Sequence, residues 1–389
     1  MTSNRKLGLD LIRMCAILPV LVVHFSAIAY RNTPDIIYVG GDLGVEIFFA
    51  LSGFLIGGII IRDFQAGFSL RAAWVFYVRR WMRTLPMYYL FLASNLLFTA
   101  YGFMADPAIS KKCALYLVFL QNLHWPMVAD WYQESWSLAV EEWFYLLFPA
   151  LFVALVGIPA RLRVLGVALI LIVGPLTLRY IAAHHGHSVS DIWRTVAYRL
   201  DAIAFGILAV WITVSFPSWS RYWRNVIGIA GAVGVTLSIM AALGAIATTE
   251  SYRAIYSFTV VSISFAAIVL WASQKDWSAW RESGEARVIE WISTRSYALY
   301  LCHGAVIRAM VHQGAFTLPH AQSTSIYLVS VFALSELLHR VVERPFMRLR
   351  PAEIHTKNES VDPKGRQKAA RGYATPAENS LTGQIDRRS

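Results

Sequence analysis

The chain has few charged residues for its length. Of its 389 residues, 15% are Asp, Glu, Lys or Arg, and 57% are hydrophobic. Soluble globular proteins carry about 25% charged residues, so the composition argues strongly against an ordinary soluble enzyme. Uncharged apolar runs of about 20 residues recur along the chain, and a helix of that length crosses the hydrocarbon core of a bilayer. The sequence therefore predicts a protein that crosses a membrane many times.

Cysteine is also scarce. The three cysteines are Cys15, Cys113 and Cys302, an odd number without the spacing of metal ligands. The histidines outside the apolar runs do not have a convincing metal-binding spacing either; they include His124, His184, His185 and His187. We therefore expect neither a disulfide framework nor a metal site.

The sequence has an excess of basic residues but no dense basic stripe. Its 35 Lys and Arg against 24 Asp and Glu give a formal net charge of +11. The basic residues lie in short clusters between the apolar runs, as the positive-inside rule for membrane proteins predicts. This distribution argues against nucleic acid as a partner and indicates the lipid bilayer instead.

The first apolar run has some features of a signal peptide. Arg5 and Lys6 precede it, and residues 27–29 satisfy a small-x-small cleavage pattern. Arg13 interrupts what would be the uncharged core of such a peptide. We therefore interpret the run as the first membrane span.

The apolar runs predict an all-α membrane bundle with about ten transmembrane helices. They lie near residues 8–29, 44–61, 86–103, 137–157, 162–183, 197–216, 225–246, 254–272, 291–311 and 325–343. A further run at 113–125 is short and polar, which is typical of a re-entrant or surface segment. We find no internal repeat of the kind from which many transporters are built.

The arginine-rich loops decide the predicted orientation. With ten spans and a cytoplasmic N-terminus, most of these arginines face the cytoplasm, whereas an eleventh span would place many of them outside. We therefore expect a multi-pass protein of the inner, cytoplasmic membrane with both termini in the cytoplasm. Residues 1–347 form the predicted transmembrane domain, and the polar residues 348–389 a disordered basic cytoplasmic tail.

The first span carries two ionisable residues, which are functional candidates wherever they lie in a membrane. Arg13 and His24 are eleven positions apart, so they share one helix face with about 16 Å between them along the axis. In the alternative interpretation, Arg13 extends to the lipid headgroups and His24 is a packing residue.

A basic cluster, Arg79, Arg80 and Arg83, lies at the predicted cytoplasmic end of the third span. Arginine binds phosphate through two parallel hydrogen bonds. The cluster therefore predicts a site for the diphosphate and 3′-phosphate of a nucleotide-bearing cofactor. The alternative is a positive-inside anchor without a ligand.

Further ionisable residues lie at the predicted outer ends of the spans. Adjacent Glu141 and Glu142 point about 100° apart on a helix, so they cannot serve one site equally. The candidates for substrate binding in an outer polar chamber are Asp42, Glu142, Arg199, Asp201 and His303. For Glu46, Arg199 and Arg308, buried ion pairs that hold the bundle together are an equally good interpretation.

These motifs together resemble the acyltransferase family 3 membrane proteins, which O-acylate glycans and some macrolides. The matching elements are Arg13-x10-His24, the pattern from Gly44 to Phe54, Arg80-x-x-Arg83, the segment from Ser137 to Tyr145, Arg199-Leu200-Asp201, Ser296-Tyr297, Tyr300-Leu301 with His303, and Glu343-Arg344-Pro345. The resemblance covers residues 7–347. Because only a short polar tail follows, we expect a stand-alone enzyme without the fused esterase-like domain of some members.

The resemblance implies an O-acyltransferase that takes its acyl group from acyl-CoA, and acetyl-CoA is the donor that we expect. The donor would enter from the cytoplasm onto Arg79, Arg80 and Arg83 and extend along the helix face of Arg13 and His24. His24 would act as general base toward an acceptor hydroxyl, or form an acyl-His intermediate, and Glu141 would orient its imidazole. Arg13 counts with both the catalytic and the donor-binding residues. The implied acceptor is a lipid-linked or extracytoplasmic glycan, and no metal is required.

Two other classes of function stay open at this stage. A proton-coupled transporter of an anionic substrate would use the same buried His, Glu and Arg residues as relay and binding groups. It predicts substrate movement without consumption of acyl-CoA. A structural or sensor protein would use Arg13, His24 and the arginine cluster for stability alone.

Overall fold

A computed structural model describes residues 6–65, 69–102, 109–124, 131–217 and 219–352. Within these ranges all regular secondary structure is helical and no strand occurs, which confirms the predicted all-α class. Of the predicted disordered tail 348–389, residues 353–389 lie outside the described residues, whereas Arg348 still belongs to a helix.

Twelve helices form the described part of the chain. They are α1 (Leu7–Ala29), α2 (Asp35–Gln65), α3 (Leu70–Ala100), α4 (Ile109–Leu117), α5 (Ser135–Ala154), α6 (Ala160–His184), α7 (Val189–Trp193), α8 (Leu200–Ser215), α9 (Arg221–Ala242), α10 (Glu250–Gln274), α11 (Gly284–His312) and α12 (His320–Arg348). Short π-helical segments lie within α10, at Arg253–Ser257, and within α12, at His339–Glu343.

Seven of these helices are long and apolar enough to cross a membrane: α1, most of α2, α5, α6, α9, α10 and α12. The chain is therefore a multi-pass membrane protein. Helix α8 is apolar but has only 16 residues, whereas α3 and α11 are long but have lower mean hydropathy. Each of the ten segments predicted from sequence falls largely within one helix. The count of ten crossings and the cytoplasmic location of both termini stay predictions.

Side-chain caps fix the starts of several helices that carry polar residues of interest. The hydroxyl of Ser69 accepts a hydrogen bond from the backbone N–H of Ala72 (3.0 Å), and that of Ser283 from Ala286 (3.1 Å). Each cap satisfies one of the backbone donors that the first turn of a helix leaves unpaired. These caps set where α3 and α11 begin.

Helix α2 lies at the centre of the bundle, against α1, α8 and α10. Two glycines allow it to approach α8 closely. A Cβ atom on Gly53 would lie 1.9 Å from the carbonyl oxygen of Ile203, and one on Gly206 would lie 2.3 Å from that of Ala50. Small residues at helix contacts are the usual means of close packing in membranes, so a side chain at either position would push the helices apart.

A buried ion pair joins α6, α8 and α10. Arg179 and Asp201 are fully buried, with Nη2 of the arginine 2.7 Å from a carboxylate oxygen. Arg179 also donates to the carbonyl oxygens of Tyr198 (2.6 Å) and Ile255 (3.0 Å). Ile255 lies in the π-helical segment of α10. The sequence analysis did not single out Arg179, although an arginine within an apolar run was a signal.

Candidate active site

Three neighbouring cavities follow one another along α1. The first is lined by Asp10, Arg13 and Arg83. The second, the arginine cavity, is lined by Arg13, Arg80, Arg83 and residues of α2, α5 and α11. The third, the histidine cavity, contains His24. Arg13 and Arg83 belong to the walls of the first two cavities, and Tyr300 and Val45 to those of the last two. Neighbouring cavities therefore share wall residues all the way from the arginines to His24.

Arg13 is held in place between the first cavity and the arginine cavity. Its Nη1 atom donates to the carboxylate of Asp10 (3.3 Å) and to the hydroxyl of Ser293 on α11 (3.0 Å). The Ser293 hydroxyl donates in turn to Asp10, at 2.6 Å, and Asp10 is buried. These contacts lie inside the bundle. They argue against the alternative in which the Arg13 side chain only extends to the lipid headgroups.

The predicted basic cluster on α3 divides into two parts. Arg80 and Arg83 line the arginine cavity. In the described part of the chain, neither guanidinium has a carboxylate within ion-pair distance. Arg79 is not among the residues that line this cavity; its guanidinium donates to the backbone carbonyl of Pro351, after the end of α12. The arginine cavity thus has a positive wall, and a wall of this kind suits an anionic ligand.

The two adjacent glutamates of α5 face different neighbours, as their helix positions predict. Glu141 lines the arginine cavity, where it accepts hydrogen bonds from the hydroxyls of Ser52 (2.6 Å) and Tyr145 (3.0 Å). Glu142 accepts from the hydroxyl of Thr84 (2.7 Å) and lines none of the three cavities. The structure therefore places Glu141 beside the arginines. Neither Glu141 nor Glu142 lines the cavity that contains His24.

His24 lies against a second histidine in the histidine cavity. The ring of His303 is 4.8 Å from that of His24 between centroids, and His303 is fully buried. Nδ1 of His24 lies 2.8 Å from the carbonyl oxygen of Val20. A carbonyl only accepts, so in the neutral imidazole Nδ1 carries the hydrogen and Nε2 keeps the lone pair. This tautomer leaves Nε2 as the basic atom.

His303 has the same arrangement. Its Nδ1 lies 3.3 Å from the carbonyl oxygen of Leu299, and its Nε2 is buried with no hydrogen-bond partner within the described ranges. A buried polar atom without a partner is costly unless a ligand or water satisfies it. His303, which the sequence placed among the substrate-binding residues, is therefore well located to contact a bound molecule.

Glu134, which the sequence analysis missed, is the carboxylate beside the two histidines. It lies immediately before α5, is buried, and has Oε1 at 3.4 Å from Nη1 of Arg308. Its other oxygen and two further nitrogens of Arg308 are buried without a partner among the residues that the structure describes. Gly304 makes room for it, since a Cβ there would lie 1.4 Å from Oε1. The signal in the sequence that could have identified Glu134 was its position just before the predicted span 137–157, at the outer end.

Tyr300 separates the arginine cavity from the histidine cavity. Its hydroxyl donates to the backbone carbonyl of Glu134 (3.2 Å) and lies 2.7 Å from the hydroxyl of Ser137. Ser137 and Tyr300 both belong to motifs that the sequence analysis singled out. Their hydrogen bond joins α5 to α11, and Tyr300 lines both cavities.

The remaining predicted site residues lie in three different places. Asp42 lines the histidine cavity and also a largely apolar lateral cavity between α2, α9 and α10. Arg199 forms a buried ion pair with Glu46 on α2, and Asp201 pairs with Arg179. Neither Arg199 nor Asp201 lines the three cavities. Their contacts are those of the ion-pair interpretation that the sequence left open.

Comparison with known proteins identifies the family. Residues 6–339 match acyltransferase family 3, described as an acyltransferase domain. Peptidoglycan O-acetyltransferase OatA of Listeria monocytogenes is 26% identical over 369 residues, which cover 88% of this chain and 56% of that protein. O-acetyltransferase OatA of Staphylococcus aureus is 24% identical over 365 residues, 90% of this chain and 58% of that protein.

The chain thus spans slightly more than half the length of these two relatives. No solved structure matches it significantly. The family match covers most of the residues that the structure describes, including all three cavities as far as residue 339. The resemblance seen in the sequence motifs is confirmed, and the chain belongs to acyltransferase family 3.

Proposed function

We propose that the protein transfers an acetyl group from acetyl-CoA, bound at the cytoplasmic side, to a hydroxyl of a lipid-linked or extracytoplasmic glycan. Family membership and relatives named as O-acetyltransferases support acetyl transfer to a glycan. The observation that carries the proposal is the series of cavities, with arginines that have no ion-pair partner among the described residues at one end and two histidines at the other.

The donor would span this series. Its phosphates would bind Arg80 and Arg83, whose planar guanidinium groups suit bidentate contacts to phosphate. Its thioester arm would pass Arg13 and Tyr300 and end near His24. Arg13 and His24 are separated by about 16 Å along α1, a distance that an extended pantetheine arm covers. The inner membrane is the compartment in which a cytoplasmic donor and an extracytoplasmic acceptor meet.

His24 would act as the general base through Nε2, the nitrogen left basic by the hydrogen bond between Nδ1 and Val20. It takes the proton of the acceptor hydroxyl as that oxygen attacks the thioester carbonyl. The carbon–sulfur bond then breaks, and the departing CoA sulfur takes the proton from the imidazolium. The products are the acetyl ester and CoA. Transfer through an acetyl-imidazole at His24 gives the same products in two steps.

The acceptor would bind on the other side of His24. Unpaired polar atoms of His303, Glu134 and Arg308 are buried there, and Asp42 opens into the same cavity. A sugar presents hydroxyls that both donate and accept hydrogen bonds, so it can satisfy these atoms together. In this proposal Glu134, which lines the same cavity as the two histidines, would stabilise the protonated imidazole in place of Glu141, which lines the arginine cavity.

The test measures release of CoA by the purified protein in lipid nanodiscs with acetyl-CoA and candidate glycan acceptors. We expect His24→Ala to reduce release at least 100-fold, since general base catalysis contributes about 10²–10⁴. Arg80→Ala should raise the KM for acetyl-CoA with a smaller change in kcat.

His184→Ala is the matched control. His184 lies on α6, is exposed, and has Nδ1 at 2.8 Å from the carbonyl oxygen of Tyr180, the same local hydrogen bond as in His24. Its replacement should leave CoA release unchanged. If the wild-type protein consumes no acyl-CoA with any acceptor and instead moves an anionic substrate across the bilayer, the transporter interpretation is correct.

A further inference from the structure

Arg350 follows the end of α12 and lies beyond the residues that match the family. Its side chain is partly buried, and its Nε and Nη2 atoms are shielded from solvent with no hydrogen-bond partner in the described part of the chain. Guanidinium N–H groups that lose water without gaining a partner are destabilising. The position of this side chain therefore needs an explanation.

The charges around Arg350 are mostly of its own sign. Burial, followed by the positive charges of Arg83, Arg80 and Arg79, lowers the pKa of Arg350 to about 10, and the Glu343 carboxylate acts in the opposite direction. Glu343 already accepts a hydrogen bond from Nδ1 of His339, at 2.8 Å. Arg350 therefore stays charged at neutral pH among three other guanidinium groups.

Direct contacts hold this segment against α3. Arg79 donates to the backbone carbonyl of Pro351, the residue next to Arg350. The last turns of α12 also pack on α3. These contacts place the segment that carries Arg350 beside the part of α3 that carries the arginines.

We propose that Arg350 is the fourth guanidinium group of a phosphate-binding site formed with Arg79, Arg80 and Arg83, and that this site takes the phosphate groups of the acyl-CoA donor. The inference rests on the proposed function. A bound phosphate accepts hydrogen bonds from the unpaired N–H groups and offsets the mutual repulsion of the four cations. A donor with a diphosphate and a separate 3′-phosphate carries enough negative charge to engage all four.

The experiment measures the Kd of CoA, without acceptor, for the full chain in nanodiscs of zwitterionic lipid. Arg350→Ala should weaken binding about tenfold, since it removes a charge-assisted hydrogen bond. The Kd of CoA for Arg350→Lys should lie between those of the wild type and Arg350→Ala, because lysine keeps the charge without the planar fork. Arg348→Ala is the matched control, since Arg348 is exposed two residues earlier, and it should bind CoA as the wild type does.

Two further measurements separate a ligand contact from a structural role. Acetyl-pantetheine keeps the thioester arm and lacks the nucleotide phosphates, so Arg350→Ala should use it as well as the wild type does. The melting temperature of ligand-free Arg350→Ala should not fall, because the substitution relieves repulsion. An equal loss with acetyl-pantetheine, or a lower melting temperature, overturns the proposal.

An anionic lipid headgroup offers the same phosphate chemistry, and the lipid composition distinguishes it. If Arg350→Ala binds CoA normally but loses a stabilisation that phosphatidylglycerol gives to the wild type, the phosphate belongs to a lipid and the donor assignment is wrong. Unchanged CoA binding in Arg350→Ala, with turnover still dependent on His24, overturns this inference alone. Absence of CoA binding by the wild-type protein overturns the proposed function as well.

Discussion

Two groups of buried or half-buried arginines lie at different places in this bundle, and their partners distinguish them. Arg179 and Arg199 each face a buried carboxylate, Asp201 and Glu46 respectively. Arg80 and Arg83 face a cavity and have no carboxylate at ion-pair distance within the described residues. All four residues are arginines within the helices of the bundle or next to them. The difference teaches that the paired arginines stabilise the fold, whereas the unpaired ones are available to a ligand.

The largest expected effect is on the paired group. Arg179→Met leaves the Asp201 carboxylate buried without its partner, which typically costs about 3–5 kcal/mol. We expect a marked fall in the melting temperature of the protein in detergent and a low folded yield. Arg83→Met is the matched substitution in the unpaired group, and it should leave the melting temperature nearly unchanged. Equal losses in both variants would contradict the comparison.

The second prediction concerns ligand binding by the unpaired group. Arg83→Ala should raise the KM for acetyl-CoA about 10-fold to 100-fold, because it removes charge-assisted hydrogen bonds to phosphate. Steady-state kinetics with varied acetyl-CoA measures this effect. Arg83→Lys should recover part of the loss. If kcat falls while KM is unchanged, Arg83 acts at the reacting atoms and not on the donor.

Much of the fold was predictable because membrane helices are encoded locally. Each of the ten apolar segments corresponds to a helix, since about 20 apolar residues have few alternatives to a helix in lipid. The number of crossings was less accessible, because α8 is short and because α3 and α11 are not among the helices that length and hydropathy mark as membrane spans. Their place in the bundle depends on contacts between helices.

The site was predictable where one helix determines it. Arg13 and His24 stood out as ionisable residues within an apolar run, and Arg80 and Arg83 as members of a basic cluster; helix periodicity then placed each pair on one face. Glu134 escaped because its proximity to His303 depends on how α5 packs on α11, with Gly304 leaving the space. The sequence could not specify such a contact between distant segments.

The third prediction tests Glu134, a side chain that shares features with both the paired and the unpaired arginines. Glu134 is paired with Arg308 at 3.4 Å but keeps an unpaired oxygen in the histidine cavity. Glu134→Gln preserves the shape and removes the charge, so we expect kcat/KM for the acceptor to fall about tenfold while the KM for acetyl-CoA is kept. Glu336→Gln on α12 is the matched control, since Glu336 pairs with Arg295 and Arg340 and lines none of the three cavities. An effect on donor KM alone would contradict this role.

The smallest expected effect concerns salt, and it separates the two arginine groups without any mutation. Dissolved ions screen charges that are open to water, with a Debye length of about 10 Å at 0.1 M and about 3 Å at 1 M. The Arg80 and Arg83 cavity must admit a soluble donor, so the Kd of CoA should rise several-fold between these two salt concentrations. Arg179 and Asp201 are fully buried, so their contribution to the melting temperature should change little over the same range. The difference in melting temperature between wild type and Arg179→Met measures that contribution at each salt concentration. A salt-dependent difference together with salt-independent CoA binding would reverse the roles assigned to the two groups, because screening would then act on the pair and not on the cavity.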